Sequence, residues 1–482
     1  VEYKNTIMHL IGRKASKENL KSCMDATQSC LVAVYGRRRI GKTYLIRQYF
    51  AESTVFDITG LHNGTMSDQL LHFRNTLIKA GYRDAIEVPK TWLSAFYMLE
   101  NYVDTLKGRK KKVIFLDEMP WMDTPRSKFL MAFENFWNSY CTKRNDLVVV
   151  ICGSAASWMI KKILNNKGGL YNRVTHKIKL EPFTLHETEL FLADKGIVWN
   201  RYDIVQCYMI MGGIPFYLDQ VHKGESVMQF VDRTCFTASG MLVHEYEELF
   251  ASLFSNSERH YKIIETLATI KKGLVRDVLL QKSGMATGGS FTETLDELLA
   301  SGFVDKQLPY KKEKQGSLYR LADPFMLFHQ QFMKGRTRKT ANSWVKITDT
   351  PAWYAWAGLA YENVCMQHVP QIKEALKLTA ISTEESAWRG GDSVALAQID
   401  LLIERADNII HICEMKFSKG IFSIDKKYAA ELRQKLFVFS QQPLNKKKTL
   451  FLTMLSTFGI QPNAYSHEMV QNQLTMDDLF IP

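Results

Sequence analysis

The stretch Tyr35-Gly-Arg-Arg-Arg-Ile-Gly-Lys-Thr43 contains a complete G-x-x-x-x-G-K-T pattern and directly follows the apolar run Leu31 to Val34. A chain that wraps phosphates must bring successive backbone N–H groups close to oxygen, and Gly36 and Gly41 permit that approach sterically. Lys42 supplies charge for the β/γ-phosphates and Thr43 a hydroxyl for Mg²⁺. The context is also right, with a strand-like segment before the loop and a helix-like one, Tyr44 to Phe50, after it. The residues expected to cradle ATP are Gly36, Arg37, Arg38, Arg39, Ile40, Gly41, Lys42 and Thr43.

Further along, KKVIFLDEMPW runs from basic residues through an apolar strand, Val113 to Leu116, into two acids. Asp117 at the strand end is placed to hold Mg²⁺ through water, and Glu118 to polarise the attacking water. A third strand, Leu147 to Ile151, ends in Cys152-Gly153-Ser154 and puts a small polar side chain between the other two strand ends. Ser154 reads equally as a sensor of the γ-phosphate and as a helix N-cap.

Composition sets outer limits. A chain of 482 residues suggests about three domains. Its 46% hydrophobic content is ample for packed cores. No apolar run approaches the roughly 20 residues of a membrane span, and the first residues lack a signal peptide's apolar stretch. The eight cysteines (23, 30, 141, 152, 207, 235, 365 and 413) form no C-x-x-C pair, so they predict reduced core thiols, a cytoplasmic setting and no structural zinc. A net charge of +12 favours an acidic partner such as nucleic acid, with a solvated basic surface as the alternative.

The segments IGRK (Ile11 to Lys14), GRRRIGKT, FLDEMPW, CGSAASWM, LYNR (Leu170 to Arg173) and GGIPFYL (Gly212 to Leu218) occur in one order. In this the chain resembles the archaeal-type ATPases of archaea and bacteria, a branch near the AAA+ and STAND NTPases. The resemblance implies an α/β P-loop NTPase core over residues 1–184, with Ile11 and Gly12 near the base. It further implies that the Gly-Ile-Pro segment belongs to a helical lid, and that Arg173 is a candidate arginine finger. Whether Arg173 serves its own nucleotide, a neighbour's in a homo-oligomer, or neither stays open at this point.

After Glu181-Pro182-Phe183 helical spacing takes over, and residues 185–257 read as lid and connection. From Glu258 the pattern predicts helices at Tyr261 to Ile270, Leu274 to Gln281 and Ser290 to Ala300, then strands at Phe303 to Leu308 and Ser317 to Leu321. Three helices and a hairpin describe a winged helix over 258–333. Its tip, Tyr310-Lys311-Lys312-Glu313-Lys314, is basic enough to reach phosphate, whereas the third helix carries Glu293, Asp296 and Glu297, which phosphates repel. Residues 334–350, with KGRTRK, read as a linker.

In the C-terminal third, Gln398-Ile-Asp-Leu-Leu-Ile-Glu404 and Ile409-Ile-His-Ile-Cys-Glu-Met-Lys416 flank a polar turn and predict a hairpin. Symmetry about Asp407 puts Asp400 opposite Glu414, with Lys416 on the same face. Facing carboxylates are costly, so a second divalent ion, Mg²⁺ or Mn²⁺, is expected to resolve the conflict, with Glu362 on the preceding helix as a candidate for its outer ligands. This arrangement resembles the PD-(D/E)XK nuclease superfamily. In archaeal-type ATPases such a restriction-endonuclease-like α/β domain, here 351–482, follows the winged helix, and DPFMLFHQQF, WAGLAYENVC, AQIDLLIERADN and ICEMKF are similar to segments found there. The resemblance implies an ATP-hydrolysing protein whose nucleotide state controls a nuclease acting on nucleic acid. The alternatives are a STAND-type switch with a non-cleaving nuclease-like domain, and a DNA-binding regulator built on the winged helix.

Overall fold

Runs of apolar residues covered on both faces build the first sheet, as parallel strands flanked by helices require. In a computed structural model, which describes residues 10–84, 87–108, 110–165, 168–254, 256–270, 273–311, 316–335, 344–390 and 397–482, the chain divides into two compact units, Val1–Glu181 and Pro182–Pro482.

The first unit is α/β. Its strands are β1 (Cys30–Tyr35), β2 (Thr54–Thr59), β3 (Lys112–Asp117), β4 (Leu147–Gly153) and β5 (His176–Lys179), all parallel in the order β2-β3-β4-β1-β5. Because β4 lies between β1 and β3, the ends of these three strands bring Gly36, Asp117-Glu118 and Ser154 to one edge of the sheet. Around the sheet lie α1 (Lys14–Asp25), α2 (Lys42–Tyr49), α3 (Met66–Lys79), α4 (Trp92–Thr105) and α5 (Phe129–Asn135). Capping boxes at Thr65/Asp68 and Thr91/Ser94 start α3 and α4 by satisfying N–H groups that a helix end otherwise leaves unpaired. One face of the sheet is sealed by Phe73, Trp92, Phe96, Phe129 and Phe133, all buried.

The second unit opens with helices, among them α6 (Leu185–Asp194), α7 (Arg201–Met211) and α8 (Glu245–Leu253). Next come α9 (Ser257–Thr269), β6 (Leu274–Val275), α10 (Arg276–Ser283), α11 (Gly289–Ala300), β7 (Val304–Gln307) and β8 (Leu318–Leu321), the strands forming an antiparallel sheet in the order β6-β8-β7. The helix expected from Leu274 starts two residues late because Leu274 and Val275 pair with Tyr319 and Leu318 instead. The arm between β7 and β8 also departs from expectation. Tyr310 is buried, its hydroxyl donates to Asn445 Oδ1 at 2.7 Å, and Lys311 pairs with Glu404 at 2.7 Å. This part of the arm is docked on protein rather than offered to phosphate; Lys312, Glu313 and Lys314 lie outside the described residues.

The last sheet comprises β9 (Thr383–Gly390), β10 (Ala397–Arg405), β11 (Ile409–Lys416), β12 (Thr449–Ser456) and β13 (Val470–Thr475), in the order β13-β12-β11-β10-β9. Helix α12 (Pro351–Gln367) precedes it. Helix α13 (Lys426–Ser440) makes the crossover that lets β11 and β12 run parallel, while β9, β10 and β11 are antiparallel neighbours. Residues 182–482 make up the second compact unit. The described end of the expected linker is no spacer. Trp344 and Ile347 are buried, the Trp344 N–H donates to Asp232 at 2.9 Å, and the Trp344 ring packs against Phe236, Phe328 and Phe332.

Candidate functional site

The phosphate loop is shaped by its backbone. Gly36 has φ 143°, and a β-carbon there would lie 2.4 Å from the Leu180 carbonyl oxygen, so only glycine lets β1 turn into the loop. Gly41 has φ 86° and stands immediately before α2, whose first N–H groups and positive dipole end suit an anion. Lys42 is buried and folds back over the loop, donating to the carbonyls of Gly36 (3.0 Å) and Arg37 (2.9 Å). Arg37 is buried, while Arg38 and Arg39 are partly exposed and Ile40 is buried. Ile11 and Gly12 precede α1, with Gly12 at φ 61°. Arg13, which sequence reasoning passed over, ties this turn to the loop by donating to the Ile40 carbonyl at 3.0 Å.

Thr43 Oγ1 donates to Asp117 Oδ2 at 2.9 Å, and the Glu118 N–H donates to Asp117 Oδ1 at 3.1 Å. A hydroxyl and a carboxylate meeting at one point are hard oxygen donors of the kind Mg²⁺ takes, so Thr43 and Asp117 fit as the residues that would hold it. Glu118 has a left-handed backbone (φ 46°) that turns its side chain towards the end of β4. There Ser154 N–H and Oγ–H each donate to Glu118 Oε2 at 2.9 Å. Ser154 is therefore not the N-cap that one reading suggested: the short helix Ala156–Trp158 has Ala155 at its N-cap, and the serine hydroxyl is occupied by Glu118. Arg173 is exposed in the turn before β5, with its N–H on the Leu170 carbonyl at 3.0 Å. Nearby Gly169 accepts from Asn138 at 3.0 Å.

The hairpin of the C-terminal sheet pairs Leu401 with Cys413 and Glu404 with Ile410, a register centred on Asp407 that carries Asp400 towards Glu414. Against β9 the register slips between Ile399 and Leu402, leaving Asp400 in a bulge, a feature that re-aims a side chain. Glu362, on α12, feels Asp400, Lys416, Arg320 and Glu414. Burial, then Asp400, pushes its carboxyl up to about 7.

The expected resolution of the carboxylate conflict by a cation is corrected in part. Glu414 is already neutralised, because Lys435 forms an ion pair with Oε1 and Tyr428 donates to Oε2 at 3.1 Å. Lys416 stacks its ammonium 4.6 Å from the Tyr428 ring centre. Glu362 and Asp400 repel each other, offset in part by Lys416 and Arg320, and the Gln398 amide donates to Asp400 at 2.7 Å. Among the described residues, the only trio of Cys, His, Asp or Glu with ligand atoms all within 4.8 Å of one another is Cys23, Cys30 and His176. The three carboxylates as they stand thus do not make a closed metal cage. Lys435 and Tyr428 were legible as one helical face, since they are seven residues apart on α13, but nothing local tied that face to Glu414.

Residues 11–221 match the family model of an ATPase domain predominantly from Archaea. The chain is 24% identical over 375 residues to an uncharacterised protein of Methanocaldococcus jannaschii, spanning 76% of this chain and 79% of that one. Among solved structures, the Walker-type ATPase PABY2304 of Pyrococcus abyssi overlaps 67% of this chain and 96% of its own, with 17% identity and a TM-score of 0.49. The ORC2 protein of Aeropyrum pernix overlaps 75% of this chain and 96% of its own, with 14% identity and a TM-score of 0.39. The chain carries an ATPase domain of the archaeal type and is an ATPase. Among the described residues, no helix is long and apolar enough to cross a membrane.

Proposed function

We propose that ATP binding and hydrolysis in the first unit control a nuclease-like C-terminal region that acts on nucleic acid. In the first unit, Lys42 and the loop N–H groups bind the phosphates, Thr43 and Asp117 hold Mg²⁺, and Glu118 orients water. Mg²⁺ when bound supplies charge neutralisation on the phosphates. The contact between Glu118 and Ser154 supports a regulated site, since it occupies the water-orienting carboxylate on the neighbouring strand. Residues 258–333 are read as a winged helix on the strength of three helices and a three-stranded antiparallel sheet, with 185–257 as lid and 351–482 as a PD-(D/E)XK-like domain. The observation that carries the nuclease reading is the convergence of Glu362, bulged Asp400, Glu414 and Lys416 at one end of a mixed sheet whose strands are joined through α13.

A second reading, a STAND-type switch whose nuclease-like region binds without cutting, is favoured by one observation. Lys435 already neutralises Glu414. Mg²⁺- or Mn²⁺-dependent cleavage of a panel of single- and double-stranded DNA and RNA, with and without ATP, separates the two. Cleavage lost in Asp400→Asn and changed by Glu118→Gln is expected for the nuclease. Retention of the nucleic acid without cleavage under every condition assigns the switch, and no retention at all removes nucleic acid as the partner.

A further inference from the structure

The ATPase unit contains a second constellation, on the sheet edge formed by β1 and β5. Cys23 sits in the last turn of α1, three residues after buried Leu20, so both face the sheet. The chain turns back through Ala26 to Ser29, and Cys30 opens β1. On the neighbouring strand His176 pairs with Val32, and paired residues of a parallel ladder share a face with every second residue, which includes Cys30. The two sulfurs and a ring nitrogen of His176 lie within 4.8 Å of one another. Cys23 and Cys30 are buried, and His176 is half-exposed, which leaves an entry from solvent.

The surrounding hydrogen bonds suit a ligand set. Thr175 Oγ1 lies 3.2 Å from His176 Nδ1 and donates to the Leu31 carbonyl at 2.9 Å, while Ser22 Oγ lies 3.0 Å from Nε2 and donates to the Asn19 carbonyl at 2.8 Å. Each ring nitrogen thus has a hydroxyl acceptor beside it, so whichever nitrogen binds an ion, the other has a partner to which it can donate. A histidine that ligates through one nitrogen and donates from the other is the arrangement found at metal centres. Around a tetrahedral ion with Zn–S near 2.3 Å and Zn–N near 2.0–2.1 Å, ligand atoms lie about 3.5–3.8 Å apart. A cluster already inside 4.8 Å needs only a small contraction to reach that spacing.

We propose that Cys23, Cys30 and His176 bind one zinc-class divalent cation through two thiolates and an imidazole, with water in the fourth position. Two soft sulfurs and one nitrogen select zinc over magnesium or calcium. The ion joins the end of α1 to β1 and β5. The opposite end of α1 carries Arg13, which grips Ile40 of the phosphate loop, and the opposite end of β1 runs into Gly36. The site therefore braces the two elements from which the nucleotide loop hangs. Under this proposal the expectation of no structural zinc gives way, while the eight cysteines are free and buried, as reduced core thiols are expected to be.

The test uses the full chain, reduced and stripped with chelator, then titrated anaerobically with Co²⁺ as a coloured stand-in for Zn²⁺. One equivalent is expected to give thiolate-to-cobalt charge transfer and the strong visible bands of tetrahedral cobalt, both erased by one equivalent of Zn²⁺. Cys23→Ser and Cys30→Ser are expected to lose the charge-transfer band, and His176→Gln to weaken binding at least tenfold. Cys413→Ser, in the other unit, is expected to bind as wild type does. Zn²⁺ is also expected to raise the thermal midpoint of wild type more than that of His176→Gln at the same concentration. His176→Gln replaces a half-exposed side chain, so its result stands even if a cysteine variant does not fold. Wild type without tetrahedral cobalt bands overturns the proposal, as does an unchanged spectrum in His176→Gln or a Cys23–Cys30 disulfide that resists reductant.

Discussion

Lys42 makes two hydrogen bonds to its own loop, with the Gly36 and Arg37 carbonyls, so its ammonium is held where phosphate must arrive. Replacing it with alanine removes the charge and both bonds. Lys42→Ala is expected to abolish ATP binding in calorimetry, and Glu118→Gln to keep binding and lose turnover; equal ATP affinity in Lys42→Ala and wild type refutes the assignment. Ser154 poses a sharper question, because its N–H and hydroxyl both occupy Glu118. A hydrogen bond to a charged group contributes about 1.5–3 kcal/mol, so Ser154→Ala frees Glu118 in part. If that contact restrains the carboxylate, kcat is expected to rise by about one to two decades, a conversion at about 1.4 kcal/mol per decade. A fall in kcat with ATP affinity unchanged would instead assign Ser154 to the γ-phosphate.

At the scale of elements, one buried histidine joins distant parts of the second unit. His368, beyond the end of α12, accepts the Leu185 N–H at the start of α6 on Nε2 at 2.9 Å and donates from Nδ1 to the Val364 carbonyl at 2.7 Å. It satisfies one of the donors that a helix start leaves open. Burial pushes its pKa down to about 4. Between the ordinary value near 6.5 and about 4, the unfolded chain binds a proton that the folded chain refuses, so stability is full above 6.5 and falls as pH drops through that window. The loss is at most about 3 kcal/mol, because each tenfold change in proton affinity corresponds to about 1.36 kcal/mol. Denaturant midpoints of wild type and His368→Gln are expected to converge as pH falls from about 7 to about 4.5; parallel pH curves would remove the role.

The same scale shows why some elements were legible and others were not. The three central strands of the first sheet, β1, β3 and β4, are buried along most of their length and end in motif residues, so their position and chemistry were readable together; β2 and β5, with TVFDIT and HKIK, carry no such signal. The hairpin centre at Asp407 followed from symmetry of the two apolar runs. The bulge at Asp400 did not, because it depends on how β9 meets β10. Leu274-Val275 carries helical spacing, but its backbone is taken by β8, a long-range pairing that local pattern does not encode. Tyr310 in a basic tip looked solvent-exposed, and its burial comes with contacts to Asn445 and Phe439, remote in sequence. Lys435, Arg320 and the cluster of Cys23, Cys30 and His176 became visible only once distant segments met.

For the whole molecule the open question is assembly. Arg173 is exposed, in the LYNR turn that precedes β5, and its resemblance to an arginine finger gains meaning only if a second copy presents its nucleotide to it. An arginine supplied to a transferring phosphate contributes on the order of 10³–10⁵ in rate in the best-studied phosphoryl-transfer systems, through charge developed only in the transition state. If Arg173 acts between copies, ATP turnover per subunit must rise with protein concentration, because the complete site exists only in the assembled form. Arg173→Ala is then expected to flatten that rise while leaving ATP affinity unchanged, since the guanidinium serves the transition state and not the bound nucleotide. Mixing inactive Lys42→Ala with Arg173→Ala supplies the complementary check: Lys42→Ala subunits still carry Arg173, Arg173→Ala subunits still bind ATP, and the mixture is expected to regain turnover that neither shows alone. Specific activity that stays constant across a wide dilution series, with a monomeric mass in ATP, would show that Arg173 serves no neighbour.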